Sequence, residues 1–123
     1  MNKVEVLTMN QLVSIFKLLS DETRLRMLIL LYQEELCVCE ISGILDIPQP
    51  RISQNLSKMR DLDLVEDERR EKYMYYSLKK DNLILLDILG KIYSDIGSYP
   101  KLLKDQKGLK TKDIYLTSCG VSC

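Results

Sequence analysis

The run Asp46-Ile47-Pro48-Gln49-Pro50-Arg51-Ile52-Ser53-Gln54-Asn55-Leu56 constrains the fold of this chain more than any other segment. Pro48 disfavours helical backbone at the residue before it, so a short helix over Val38 to Leu45 must stop there. Pro50 suits the first turn of a new helix, where its missing N–H costs nothing. The new helix buries Ile52, Leu56 and Met59 and leaves Arg51, Gln54, Asn55 and Lys58 on its other face. Two short helices joined by so tight a break read as a helix-turn-helix.

The segments on either side extend that unit. Leu12, Ile15, Phe16 and Leu19 mark one face of a first helix. Ser20-Asp21 offers an N-cap, with Glu22 in the first turn, for a second helix carrying Leu25, Leu28, Ile29 and Tyr32. After Leu62 the period changes to that of strands. Leu64 to Glu68 and Tyr73 to Leu78 form a hairpin, turned by the charged Arg69-Arg70-Glu71-Lys72. Asp81 is placed to cap a last helix with a broad apolar stripe, including Leu83, Leu86 and Ile92. The expected fold is therefore mainly α with a small β-hairpin, a dimeric winged helix-turn-helix. Residues 1–98 make the DNA-binding and dimerisation domain, and 99–123 a polar C-terminal tail carrying a Cys pair.

Composition removes several function classes. The chain of 123 residues has no histidine, so a His-based zinc site and any Ser-His or Cys-His nucleophile pair are excluded. None of its five glycines forms a phosphate-cradling loop, and the composition argues against an enzyme. No apolar run approaches the ~18 residues of a membrane span, and no signal-peptide pattern is present. The expected location is the cytoplasm, where four cysteines serve better as metal ligands or redox thiols than as structural bridges. Formal net charge is zero, yet Gln49 to Arg60 holds Arg51, Lys58 and Arg60 and no carboxylate. Local charge thus favours nucleic acid where the total does not.

Base edges suit Gln49, Arg51, Gln54 and Asn55, since Arg pairs with guanine and Asn or Gln with adenine. Phosphate suits Ser53 and Lys58. Arg69, Arg70 and Lys72 at the hairpin tip reach toward the minor groove or flanking phosphates. One such domain contacts too little DNA for tight binding. Leu12, Ile15, Phe16, Leu83, Leu86 and Ile92 are expected to pair two copies, giving a palindromic operator.

These residues resemble the ArsR/SmtB family of metal-responsive repressors. Leu19-Ser20-Asp21-Glu22-Thr23-Arg24-Leu25-Arg26-Met27-Leu28 is similar to the family's second helix. Glu35-Leu36-Cys37-Val38-Cys39-Glu40 is similar to the metal box of its arsenic, antimony, cadmium and lead branches. Gln49 to Leu56 resembles its recognition helix, and Arg69 to Leu78 its wing. Three positions depart from the pattern: Ser42 stands where the arsenic box has a third cysteine, Asn55 where the recognition helix has histidine, and Glu71 where the wing has glycine. The last helix lacks the Asp/His set of the zinc branch.

The resemblance implies a homodimeric repressor that binds duplex operator DNA without a cofactor and is released by an inducer, controlling a metal-resistance operon. Arsenite and antimonite want three sulfurs, and cadmium or lead three or four. Cys37 and Cys39 supply two, and only the tail pair Cys119 and Cys123 can supply more. As(III)/Sb(III) is the expected inducer because the box is closest to that branch. Cd(II)/Pb(II), or thiol oxidation, is the alternative. Residues i and i+2 of an ideal helix point about 200° apart, so the pair is expected to grip an ion only at a fraying first turn. A thiol-disulfide oxidoreductase using Cys37-Val38-Cys39 is the rival of another class, without the usual C-x-x-C beside a βαβ unit. A dimerisation module without DNA binding is the third.

Overall fold

The computed structural model describes residues 8–117. Helix α1 (Met9–Leu19) opens on a reciprocal cap. Thr8 Oγ1 accepts from the Gln11 amide at 3.1 Å, and the Gln11 side chain accepts from the Thr8 amide at 2.8 Å. Helix α2 (Glu22–Gln33) starts at Asp21, whose carboxylate accepts from the Arg24 amide at 3.0 Å. Met27 to Leu31 are consecutively buried, so α2 is the central rod that the other elements wrap.

Strand β1 (Leu36–Cys37) leads directly into α3 (Val38–Leu45). Asp46 ends α3 in the left-handed region (φ 58°), and Pro48 then caps α4 (Gln49–Asp61), with Pro50 in its first turn. Ile52, Leu56 and Met59 of α4 are fully buried, as the apolar spacing requires. Strands β2 (Val65–Arg70) and β3 (Tyr73–Leu78) follow, then α5 (Leu83–Ser94), a 3₁₀ turn (Ile96–Ser98), α6 (Pro100–Gly108) and a 3₁₀ segment (Leu109–Tyr115). This is a winged helix-turn-helix, mostly helical, with one small antiparallel sheet in the order β1-β3-β2.

Four details differ from the sequence reading. The sheet has a third strand, β1, which pairs Leu36 with Tyr76 and Cys37 with Tyr75; two residues are too few to show strand periodicity. Pairing in the wing continues to Arg70↔Tyr73, so Arg69 and Arg70 lie in β2 and only Glu71-Lys72 turn. The cap of α5 is Asn82 rather than Asp81, its side chain accepting from the Leu85 amide at 3.2 Å. Helix α1 buries Ile15 and Leu18, whereas Phe16 is 52% exposed.

Residues 99–117 of the expected polar tail fold against the body. Leu102 and Leu109 enter the core, and α6 runs parallel to α2 at a constant offset of 79 residues in two ionic rungs. Lys101 meets Glu22 at 2.7 Å, and Asp105 takes both Nε and Nη2 of Arg26 at 2.9 and 3.0 Å. Lys112 closes the series on Glu34 at 2.8 Å. Gly43 of α3 admits the Tyr115 ring, which any Cβ there would strike.

Glu71 holds a left-handed backbone (φ 57°) at the wing turn, where an L side chain costs about 1 kcal/mol or more. Glu71→Gly removes that cost but adds backbone entropy to the unfolded chain. A net gain of about 0.5–1 kcal/mol is expected, read as a rise of a few degrees in the thermal midpoint; a lowered midpoint would contradict the assignment.

Candidate functional site

The first part of the site is the outer face of α4. Arg51, Ser53, Gln54 and Lys58 are exposed, while Gln49 and Asn55 are half-buried. Spacings of three, four and seven residues put Arg51, Gln54, Asn55 and Lys58 on one helical face. Two of these side chains also anchor the helix. Arg51 Nη2 donates to Thr23 Oγ1 at 3.2 Å, and Asn55 Nδ2 donates to the Arg51 carbonyl at 3.0 Å. The Asn55 carbonyl oxygen faces Arg24 Nη1 at a long 3.5 Å, while Arg24 Nε donates to the Leu18 carbonyl at 3.2 Å. Asn55, assigned to base reading from sequence, therefore has both ends of its amide engaged within the protein.

No local sequence pattern marks Thr23 or Arg24 as a site residue, although both lie in the Leu19–Leu28 motif. Together they fix the start of α2 against α4, so the reading helix is held by side chains outside it.

In the wing, the three cations differ. Arg70 forms ion pairs with Glu35 and with Glu68 (2.8 Å) and lies over the Tyr75 ring at 5.2 Å. Those carboxylates hold its guanidinium in place and compete with any phosphate. Lys72 lies over the Tyr73 ring at 5.6 Å. Among the described residues, neither Arg69 nor Lys72 has a carboxylate partner.

The second part is the cysteine pair Cys37 and Cys39, of which Cys39 is disulfide-bonded in this structure. Cys37 ends β1 and is the N-cap residue of α3, with extended backbone (φ −96°, ψ 169°); Cys39 lies in the first helical turn. Cys37 thus stands outside the helix, and the 200° separation of an i, i+2 helical pair does not apply to it. In the folded state Cys37 already lies outside α3, paired with Tyr75 in the sheet.

Both cysteines are buried, with Glu40 between them and the C-terminal segment. The Glu40 carboxylate accepts from the Cys37 amide at 3.1 Å, and the Cys37 side chain faces the Glu40 amide, a capping box built on sulfur. Burial pushes the Cys37 thiol above its ordinary value, which the adjacent Glu40 amide opposes. Burial also raises Glu40, only 1% exposed, against the pull of the Cys37 amide and of Lys112. Among the described residues, no group of three or more Cys, Asp or Glu side chains is placed to hold a metal ion. Cys119 and Cys123 lie outside the described residues.

The two parts meet through α3, which carries Cys39 and Glu40 and packs on α4. Ile41 and Leu45 of α3 share a continuous buried core with Ile52 and Leu56 of α4. The start of α3 and the seat of α4 are thus joined by close-packed side chains.

Comparison with known proteins places this arrangement. The profile described as "Bacterial regulatory protein, arsR family" matches residues 21–67, from the cap of α2 to the start of the wing. The arsenic resistance transcriptional regulator ArsR1 of Pseudomonas putida is 43% identical over 65 residues, 52% of this chain and 51% of that protein. The chain thus spans about half the length of that relative. The transcriptional repressor SdpR of Bacillus subtilis is 32% identical over 65 residues, covering 53% of this chain and 72% of SdpR. Among solved structures, the transcriptional repressor BigR from Xylella fastidiosa superposes with a TM-score of 0.62 at 28% identity, covering 69% of this chain and 85% of BigR. Motif order, fold and relatives agree: the chain belongs to the arsR family of bacterial regulatory proteins.

Proposed function

We propose that the chain is a homodimeric transcriptional repressor that binds a palindromic operator and is released when its thiolates capture As(III) or Sb(III), controlling an arsenic-resistance operon in the cytoplasm. The observation that carries this reading is the position of Cys37 and Cys39, at the junction between the wing sheet and the helix that seats α4. A soft ion drawing the two sulfurs together pulls on β1 and α3 at once. Releasing operator with a hundredfold loss of affinity requires about 2.7 kcal/mol of coupling, within the usual range for allosteric proteins.

Two thiolates leave trivalent arsenic one sulfur short, and Cys119 and Cys123 are the proposed source. Support comes from where the described chain ends: the Leu116 carbonyl accepts from the Tyr73 phenol at 3.2 Å, on the strand that pairs with Cys37. Capture of all four sulfurs by Cd(II) or Pb(II) is the competing chemistry. Residues 1–98 carry DNA binding and dimerisation in this reading. Met9, Val13, Phe16 and Leu83 support a second copy, being large apolar side chains left exposed on α1 and α5. Among the described residues, no helix is long and apolar enough to cross a membrane.

Gln49, Arg51, Gln54 and Asn55 are the proposed base readers, with Ser53, Lys58, Arg69, Arg70 and Lys72 on phosphate; Asn55 and Arg70 exchange their partners within the protein for DNA on binding. Arg51→Ala is the test of this surface. A loss of about 1–3 kcal/mol, or roughly five- to 150-fold, is expected on operator duplex with little change on scrambled duplex. Equal operator affinity for variant and parent would remove α4 as the reading element.

A further inference from the structure

Five surface cations are neutralised by carboxylates among the described residues. Arg60 pairs with Asp67, Lys79 with Asp63, Lys101 with Glu22, Lys112 with Glu34, and Arg70 with two carboxylates. Three that have no carboxylate partner among the described residues converge beside the reading helix. Lys17 at the end of α1, Arg24 in the first turn of α2 and Lys58 in the last turn of α4 line one cleft with Ser14, Leu18 and Leu62. Among the described residues, no carboxylate lines it. Its volume of about 210 Å³ is below the ~300 Å³ at which pockets for drug-sized molecules begin, and suits a smaller charged group.

Arg24 is held in position by its hydrogen bond to the Leu18 carbonyl and by Asn55, which leaves guanidinium N–H groups uncommitted. Lys58 belongs to the same helical face as Arg51, two turns on, so the cleft continues the reading surface toward α1.

We propose that Lys17, Arg24 and Lys58 form a phosphate-binding cleft that grips the DNA backbone beside the bases read by α4. This rests on the DNA-binding reading above and adds to it two residues, Lys17 and Arg24, on helices outside the helix-turn-helix. Such contacts set position and affinity and carry no sequence information. A bland explanation competes with it: Lys17 and Lys58 sit in the last turns of helices, where a cation also complements the helix dipole. That role would move thermal stability and leave DNA binding alone.

The test uses the full chain and fluorescence anisotropy over a salt series, on operator duplex and on scrambled duplex of equal length. For Lys17→Gln, the slope of log affinity against log salt should shrink in magnitude by about 0.9, with affinity falling about three- to tenfold equally on both duplexes. Lys17→Arg should restore the slope. Inorganic phosphate at matched ionic strength should not compete beyond its salt effect, which separates backbone phosphate from a free-phosphate site. An unchanged slope for Lys17→Gln, or a loss confined to the operator, overturns the cleft. A parent chain that binds neither duplex overturns the DNA-binding reading itself, and Arg51→Ala weakened while Lys17→Gln is unchanged overturns the cleft alone.

Discussion

Asp105→Ala is expected to cost about 3–5 kcal/mol of unfolding free energy, and to lower the thermal midpoint by more than about 10 °C. Asp105 is 2% exposed and takes two hydrogen bonds from Arg26, so its removal leaves a largely buried guanidinium without a counter-charge. The acid holds that guanidinium firmly in its charged state. Much of the loss is the penalty of the stranded cation rather than the worth of the pair. The double change Arg26→Met with Asp105→Leu is therefore expected to come back to within about 1–2 kcal/mol of the parent. Lys101→Ala, which removes an exposed rung of the same series, should cost no more than about 1 kcal/mol. Urea unfolding of the three variants checks the set. An Asp105→Ala loss under 1 kcal/mol would mean that α6 is not held on α2 by this contact.

The second large effect is functional. Cys37→Ser is expected to keep operator binding within about twofold and to raise the arsenite concentration needed for release by a hundredfold or more. Serine is among the best N-cap residues, so its hydroxyl can take over the cap of α3 that the thiol now fills. A hydroxyl is, however, a poor ligand for a soft ion. The variant thus separates the structural role of Cys37 from its chemical one. Anisotropy of a labelled operator under increasing arsenite reads both quantities in one experiment. Normal release by the variant would place the sensor elsewhere.

The parts of the fold legible in the sequence are those with strong local signals. Pro48 and Pro50 fix the break before α4, Asp21 caps α2, and the spacing of Ile52, Leu56 and Met59 gives the buried face of the reading helix. Signals shared between neighbours were less decisive. Asp81 and Asn82 are both good caps, and only the backbone at Leu85 selects Asn82. The segment after Pro100 reads as polar because its burial rests on two leucines and one aspartate, and a buried aspartate makes sense only with Arg26 in view, 79 residues away. For the site, the cysteine positions and the exposed face of α4 are visible in sequence. The grip of Thr23 and Arg24 on α4, the neutralisation of Arg70 and the removal of Cys37 from the helix depend on long-range contacts that no local pattern encodes.

The central claim is that capture of a soft trivalent ion by thiolates at the start of α3 releases DNA. It is tested most directly by titrating the reduced protein, bound to its own labelled upstream duplex, with arsenite, antimonite, cadmium, lead and zinc in separate runs. Arsenite and antimonite should each free the duplex, at least a hundredfold in apparent affinity, while zinc leaves it bound. Retention of the duplex with both arsenite and antimonite, with or without release by cadmium or lead, would contradict the claim.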